Sequence, residues 1–155
     1  MGNEQRNAGT SAVDWSQQVD LDWHQFDFSA YERQLVINGR KVNYVDLGDE
    51  EKPVLFYIHG LIGTWKNWIF NILPFVDRYR VIAIDLPGFG HSDMPNGEFS
   101  IERYAATVKQ FCGELGIERV TVIGNSMGGQ VAAITAKKFP ELIEQLFLVD
   151  AAGFS

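Results

Sequence analysis

The chain has 155 residues, 46% of them hydrophobic and 21% charged, and a formal net charge of −7. That length suits one domain burying roughly 70% of its unfolded surface. Its acidity supplies no basic stripe for phosphates and so excludes a general nucleic-acid binder. No apolar run approaches the ~20 residues that span a bilayer, and no charged-then-apolar leader pattern opens the chain. Met1-Gly2 lacks the Ser or Thr that acylation wants at the position held by Arg6. The expectation is no membrane partner and a cytoplasmic location. A lone Cys112 excludes an intrachain disulfide, and His24, His59 and His91 lack metal-ligand spacing, so neither metal nor cofactor is expected.

Residues 1–30 begin polar and then carry Trp15, Trp23, Phe26 and Phe28 without sustained periodicity. They read as an irregular N-terminal arm, and residues 31–155 as the domain. Leu35-Val36-Ile37 and Val42-Asn43-Tyr44-Val45 flank Asn38-Gly39, a pair that accepts the positive φ of a hairpin turn. Residues 53–58 form an apolar run suited to a strand buried on both faces. It ends in His59-Gly60-Leu61-Ile62-Gly63, before a helical segment with Trp65, Trp68, Ile69 and Ile72 that stops near Pro74. A second such strand, residues 80–85, runs into Leu86-Pro87-Gly88-Phe89-Gly90-His91-Ser92-Asp93.

Ser100 then reads as an N-cap with Glu102 in the first turn. Ile101, Tyr104, Ala105, Val108, Phe111, Cys112 and Leu115 follow helical spacing until Gly116 supplies the stop. Residues 146–150 form a last strand ending at Asp150. The pattern predicts an α/β fold, a mostly parallel helix-flanked sheet preceded by a β-hairpin. Ligands of such sheets bind outside the carboxyl ends of the strands, where Gly60, Asp85, Ser126 and Asp150 emerge.

Between the β-branched run Val120-Thr121-Val122-Ile123 and an Ala-rich helical run stands Gly124-Asn125-Ser126-Met127-Gly128-Gly129. A Gly-x-Ser-x-Gly turn from strand to helix is so tight that small residues, here Gly124 and Gly128, must flank the serine. It lifts the Ser126 hydroxyl clear as a nucleophile for acyl transfer and aims a helix N-terminus at the bound group. The plainer alternative is that Ser126 only caps the helix. Gly60 lets the backbone swing inward, so that the Leu61 and Met127 N–H groups can form an oxyanion hole, each donor worth ~3–4 kcal/mol in the transition state. His59 is expected to hydrogen-bond within its loop rather than act as base. Trp65, Trp68 and Phe89 are candidate linings of an apolar acyl pocket, with core packing as the alternative for at least one of them.

His59-Gly60, the segment from Asp85 to Ser92 and the segment from Gly124 to Gly129 resemble, in order and spacing, the motifs of the α/β-hydrolase fold superfamily, over residues 35–155. The resemblance implies Ser126 as nucleophile, the Leu61 and Met127 backbones as oxyanion donors, a small-molecule acyl substrate and no cofactor. Serine rather than aspartate at position 126 favours esterases, lipases, lactonases and carbon–carbon bond hydrolases over haloalkane dehalogenases and soluble epoxide hydrolases. The family's triad runs Ser, acid, His. Asp150 is the implied acid, and no histidine follows Ser126. The expectation is therefore the N-terminal portion of a serine hydrolase of a carboxylic ester or related acyl bond, an incomplete fold, inactive alone for want of the triad histidine. Alternatives are an acyltransferase or carbon–carbon bond hydrolase on the same site, and a non-catalytic truncated relative serving as a binding or assembly module that self-associates through its exposed last strand. A dinucleotide-binding domain would want glycine where Ser126 stands.

Overall fold

Asn38 and Gly39 adopt φ of 51° and 74° and turn the chain between β1 (Glu32–Ile37) and β2 (Arg40–Leu47). This hairpin opens a six-stranded sheet of order β1-β2-β4-β3-β5-β6, in a computed structural model that describes residues 13–153. The Met1-Gly2 motif, the start of the arm and the last two residues lie outside the described residues. β3 (Val54–Ile58), β4 (Arg80–Ile84), β5 (Val120–Asn125) and β6 (Ile143–Val149) are parallel to one another, and β2 joins β4 antiparallel.

Side chains of β3 alternate between two cores, as the period of a strand requires. Phe56 and Ile58 face α2 (Ile101–Glu114) and α3 (Met127–Lys138), packing with Phe111, Cys112, Val131 and Ala132. Leu55 and Tyr57 face the other way, toward Trp65, Trp68, Ile72, Leu73 and Val76. That second face is covered by a composite segment: a 3-10 turn Trp65–Trp68, the short α1 (Ile69–Ile72) and a 3-10 turn Leu73–Phe75. A single helix was the expectation here; Pro74, which lacks an N–H, sits inside the last turn and breaks the α pattern.

The described residues before β1, from residue 13 on, are more ordered than their lack of periodicity predicts. Three 3-10 turns start at Trp15, Trp23 and Phe28, each N-capped by an aspartate two residues before the N–H it accepts: Asp14, Asp22 and Asp27. They lay aromatics on the second core, Phe28 at 5.5 Å from Trp65 and Trp23 at 5.5 Å from Phe70. Cys112 is fully buried, and burial pushes its thiol up to about 12, so it stays an inert core residue at neutral pH.

From β3 the chain steps to one side to form β4, then returns across β3 to form β5 on the other side. That reversal opens a crevice at the carboxyl ends of β3 and β5, where a doubly wound sheet binds its ligand. At the far side β6 pairs, among the described residues, with β5 alone, and Phe147, Leu148 and Val149 are 51%, 41% and 44% exposed. No helix among the described residues is long and apolar enough to cross a membrane.

Candidate active site

Ser126 joins β5 to α3 at φ 52° and ψ −118°. This lies outside the wells open to an L-residue and stores about 1–3 kcal/mol of strain, which persists only where neighbours over-determine the backbone. They do. The Ser126 N–H donates to the Val149 carbonyl at 3.1 Å, and its own carbonyl accepts from the N–H groups of Gly129, Gln130 and Ala152 at 3.0, 3.2 and 3.0 Å. The hydroxyl makes no capping hydrogen bond to α3, which removes the plain helix-cap reading. A Cβ at Gly124 would lie 2.3 Å from the Gly128 carbonyl oxygen, and one at Gly128 would lie 2.3 and 2.4 Å from the carbonyl oxygens of Ile58 and His59. Strand, turn and helix thus touch through backbone alone.

The loop after β3 closes on the same point. The Gly63 N–H bonds the Gly60 carbonyl at 3.0 Å, a four-residue turn with exposed Leu61 and Ile62 at its tip. Ile62 takes φ 62°, an outlier for a β-branched residue of the kind that gathers at functional loops. A methyl on Gly60 would come within 3.2 Å of the Ser126 Cβ. The Leu61 turn therefore stands directly beside the elbow, and Met127, as the first residue of α3, presents an N–H without an intrahelical acceptor.

Asp85, 1% exposed, ties this loop to the one after β4. Its Oδ1 accepts the Trp65 N–H at 2.7 Å, and its Oδ2 accepts Asn43 Nδ2 at 2.9 Å and the His91 N–H at 3.0 Å. The buried Asn43 amide also donates to Glu32 at 2.8 Å, and Glu32 in turn receives His91 Nδ1 at 2.8 Å. Asn43 and Glu32 were not singled out by sequence reasoning, since residues 32, 43, 85 and 91 meet only once the sheet forms.

His59 is fully buried with both ring nitrogens committed. Nδ1–H donates to the Gly60 carbonyl at 2.6 Å, and Nε2 accepts the Leu86 N–H at 2.9 Å. The ring is thereby fixed as the neutral Nδ1–H tautomer, with no nitrogen left for a reaction. Burial holds its pKa below the usual 6.5, against the opposing pull of the Gly60 carbonyl and Asp85. Above that value folded and unfolded chains are both neutral at this group, and its contribution to stability is complete. Below it the unfolded chain gains a proton that the folded chain refuses, so stability falls with pH toward the depressed folded value, by at most ~1.4 kcal/mol per unit. Urea unfolding should give a free energy that is level above about pH 7.5 and declines as the pH falls through 6.5; a flat profile through that window would contradict a buried neutral His59.

Asp150 is exposed at φ 47°, at the end of β6 beside the elbow, where Asn125 pairs in register with Val149. Phe89 lines a cavity of about 450 Å³ with Leu61, Met127, Phe99, Ile101 and Tyr104. Trp65 does not line it; of the two roles expected of this side chain, substrate lining and core packing, its position favours packing. It is 3% exposed, packed on Phe28 in the second core, with its indole N–H toward Glu32 at 3.4 Å. Its side chain points into the sheet while its backbone N–H serves the loop. A larger cavity, about 630 Å³, lies away from Ser126 over the Leu55, Tyr57, Ile123 and Phe147 face of the sheet. Among the described residues, no group of three His, Cys, Asp or Glu side chains could hold a metal ion.

The chain matches the alpha/beta hydrolase fold family over residues 53–154, and it belongs to that family. It is 41% identical over 118 residues to the dihydrolipoyllysine-residue acetyltransferase component of acetoin cleaving system of Cupriavidus necator, an alignment covering 76% of this chain and 31% of that protein. It is 36% identical over 118 residues to a soluble epoxide hydrolase of a Corynebacterium species, covering 76% of this chain and 40% of the other. Among solved structures, a membrane phospholipase A described as a bacterial virulence factor superposes with a TM-score of 0.78 at 36% identity, covering 80% of this chain and 40% of that one. The chain thus spans between 31% and 40% of these relatives' length.

Proposed function

We propose that this chain carries the nucleophile half of a serine hydrolase site for a carboxylic ester or related acyl bond. The observation that carries the reading is the strained, hydroxyl-free-standing geometry of Ser126 between β5 and α3, with the Leu61 turn against its Cβ. In the proposed reaction Ser126 Oγ forms a bond to the acyl carbon and the oxyanion is held by the Leu61 and Met127 N–H groups. The alcohol departs with the serine proton, and water then releases the acid. Asp150 is the carboxylate that would orient the base.

The base is expected after Ser126 in the family's order, and none of the described histidines stands there. His59 has both ring nitrogens spent on its own loop, whereas His91 and His24 each engage Nδ1 alone, with Glu32 and Asp22. Without a base the serine is a poor nucleophile, retaining only the rate that the oxyanion hole and binding supply. The 155-residue chain is therefore expected to label once and slowly rather than turn over. Treating it with a fluorophosphonate should phosphonylate Ser126 with loss of fluoride, as located by peptide mapping, and Ser126→Ala should abolish the adduct. Labelling that survives Ser126→Ala refutes the assignment.

Two other readings have support. The acetyltransferase-named relative favours delivery of the same acyl-serine to an acceptor other than water. The exposed apolar residues of β6 favour an assembly role, in which the chain self-associates edge to edge. A defined dimer in sedimentation together with an unreactive Ser126 would select the assembly reading. Epoxide opening is disfavoured by serine, rather than a carboxylate, at the elbow.

A further inference from the structure

The cavity beside Ser126 has a wall chemistry more specific than its location. Among the described residues, seven line it: Leu61, Phe89, Phe99, Ser100, Ile101, Tyr104 and Met127. Only Ser100 and Tyr104 bring polar side-chain atoms, and both are already used. The Ser100 hydroxyl accepts the Arg103 N–H at 3.2 Å as the cap of α2, and the Tyr104 hydroxyl donates to the Pro87 carbonyl at 3.1 Å. What faces the cavity is carbon. A charged, sugar-like or hydroxylated group would enter without partners and lose its hydration for nothing.

Leu61 and Met127 stand at once in this lining and at the two proposed oxyanion positions, so the cavity borders the site proposed for the reacting acyl group. Resting on the serine-nucleophile reading above, we propose that it receives the apolar acyl chain of the substrate, uncharged and of medium length, and that Phe99 is the residue that sets that length. About 450 Å³ falls within the range of small-molecule pockets.

The role of Phe99 follows from how it is held. It precedes the Ser100 cap and packs on Tyr104, ring centroids 6.4 Å apart, the spacing of a hydrophobic staple across a helix start. A staple alone would be served by any apolar side chain tucked in, yet the Phe99 ring is 53% exposed. Its inner edge lies on Gly88, at φ 92°, where a Cβ would come within 2.6 and 2.9 Å of two ring atoms. Phe89 completes the aromatic wall, 6.2 Å from Phe99 and 6.5 Å from Tyr104. Phe99 is thus the outer side of the cavity, supported from within and open to solvent without.

The test is a series of alkyl fluorophosphonates of rising chain length, reacted with the chain and with Phe99→Ala and Ile101→Phe, beside binding of the uncharged fluorophore N-phenyl-1-naphthylamine, also to Ser126→Ala. Labelling of Ser126 should accelerate by up to about fourfold per methylene until the cavity is full. Phe99→Ala should move the best chain to greater length, and Ile101→Phe, which fills the cavity, should shorten it and weaken the fluorophore. Circular dichroism of each variant checks that it is folded, and Phe99, being half exposed, puts little of the core at stake. Ser126 labelling that ignores chain length and both substitutions overturns the pocket while leaving the nucleophile intact. Fluorophore binding that responds to Ile101→Phe with no label on Ser126 overturns the nucleophile reading while leaving an apolar pocket.

Discussion

Gly128→Ala is expected to destabilise the protein by about 3 kcal/mol or more. The added carbon would lie 2.3 Å from the Ile58 carbonyl oxygen, 2.4 Å from that of His59 and 2.7 Å from the Ile58 carbonyl carbon. All three are backbone atoms at the end of β3, whose whole length is buried. No rotamer change can relieve the overlap; α3 must draw away from the sheet, opening the packing of Val131 and Ala132 behind it. Gly113→Ala is the internal control, for Gly113 lies in α2 with nothing within 4 Å of the new carbon. There alanine should be neutral or stabilising by up to ~1 kcal/mol, because glycine is the poorer helix former. At roughly 2–4 °C per kcal/mol for a chain of this size, thermal unfolding should separate the two variants by about 10 °C. Equal midpoints would mean that the elbow is not packed backbone to backbone.

The contrast between these glycines bears on what can be read from a sequence. Gly124 and Gly128 were legible because a nucleophile elbow demands small residues at fixed offsets from the serine. The Asn38-Gly39 turn, the doubly buried β3 and the Ser100 start of α2 were legible for the same reason: each is a local rule with a local pattern. The Phe99–Tyr104 staple was also written locally, five residues apart around a cap, and points to the cavity wall that sequence reasoning did not name. The turns at Asp14, Asp22 and Asp27 span too few residues to show a period. The direction of the Trp65 side chain depends on which face of the sheet its segment covers, which an aromatic residue in an irregular turn does not declare. Least legible was the polar network, since Glu32, Asn43, Asp85 and His91 belong to four separate stretches brought together by strand order.

That network carries the second large effect, for Asp85→Asn. The substitution keeps shape and burial but puts an NH₂ where the site needs an acceptor. Whichever way the amide turns, it faces either the Trp65 N–H on one side or the Asn43 amide and His91 N–H on the other. One or two donors lose their acceptor, and the lost carboxylate had served them as charge-assisted bonds. With the group 1% exposed, no water replaces them easily, and the cost is about 3 kcal/mol. The effect on reactivity follows from position. The Trp65 N–H lies four residues beyond Leu61, and releasing it frees the turn that stands against the Ser126 Cβ. A displacement of about 1 Å in such a turn lowers a positioned reaction by roughly a hundredfold. Phosphonylation of Ser126 should therefore fall in Asp85→Asn even well below its unfolding midpoint, where the population is fully folded. A variant that unfolds early but labels at the parent rate while folded would make Asp85 a tie between loops and nothing more. A folded variant that labels slowly makes it the residue through which the sheet sets the oxyanion turn.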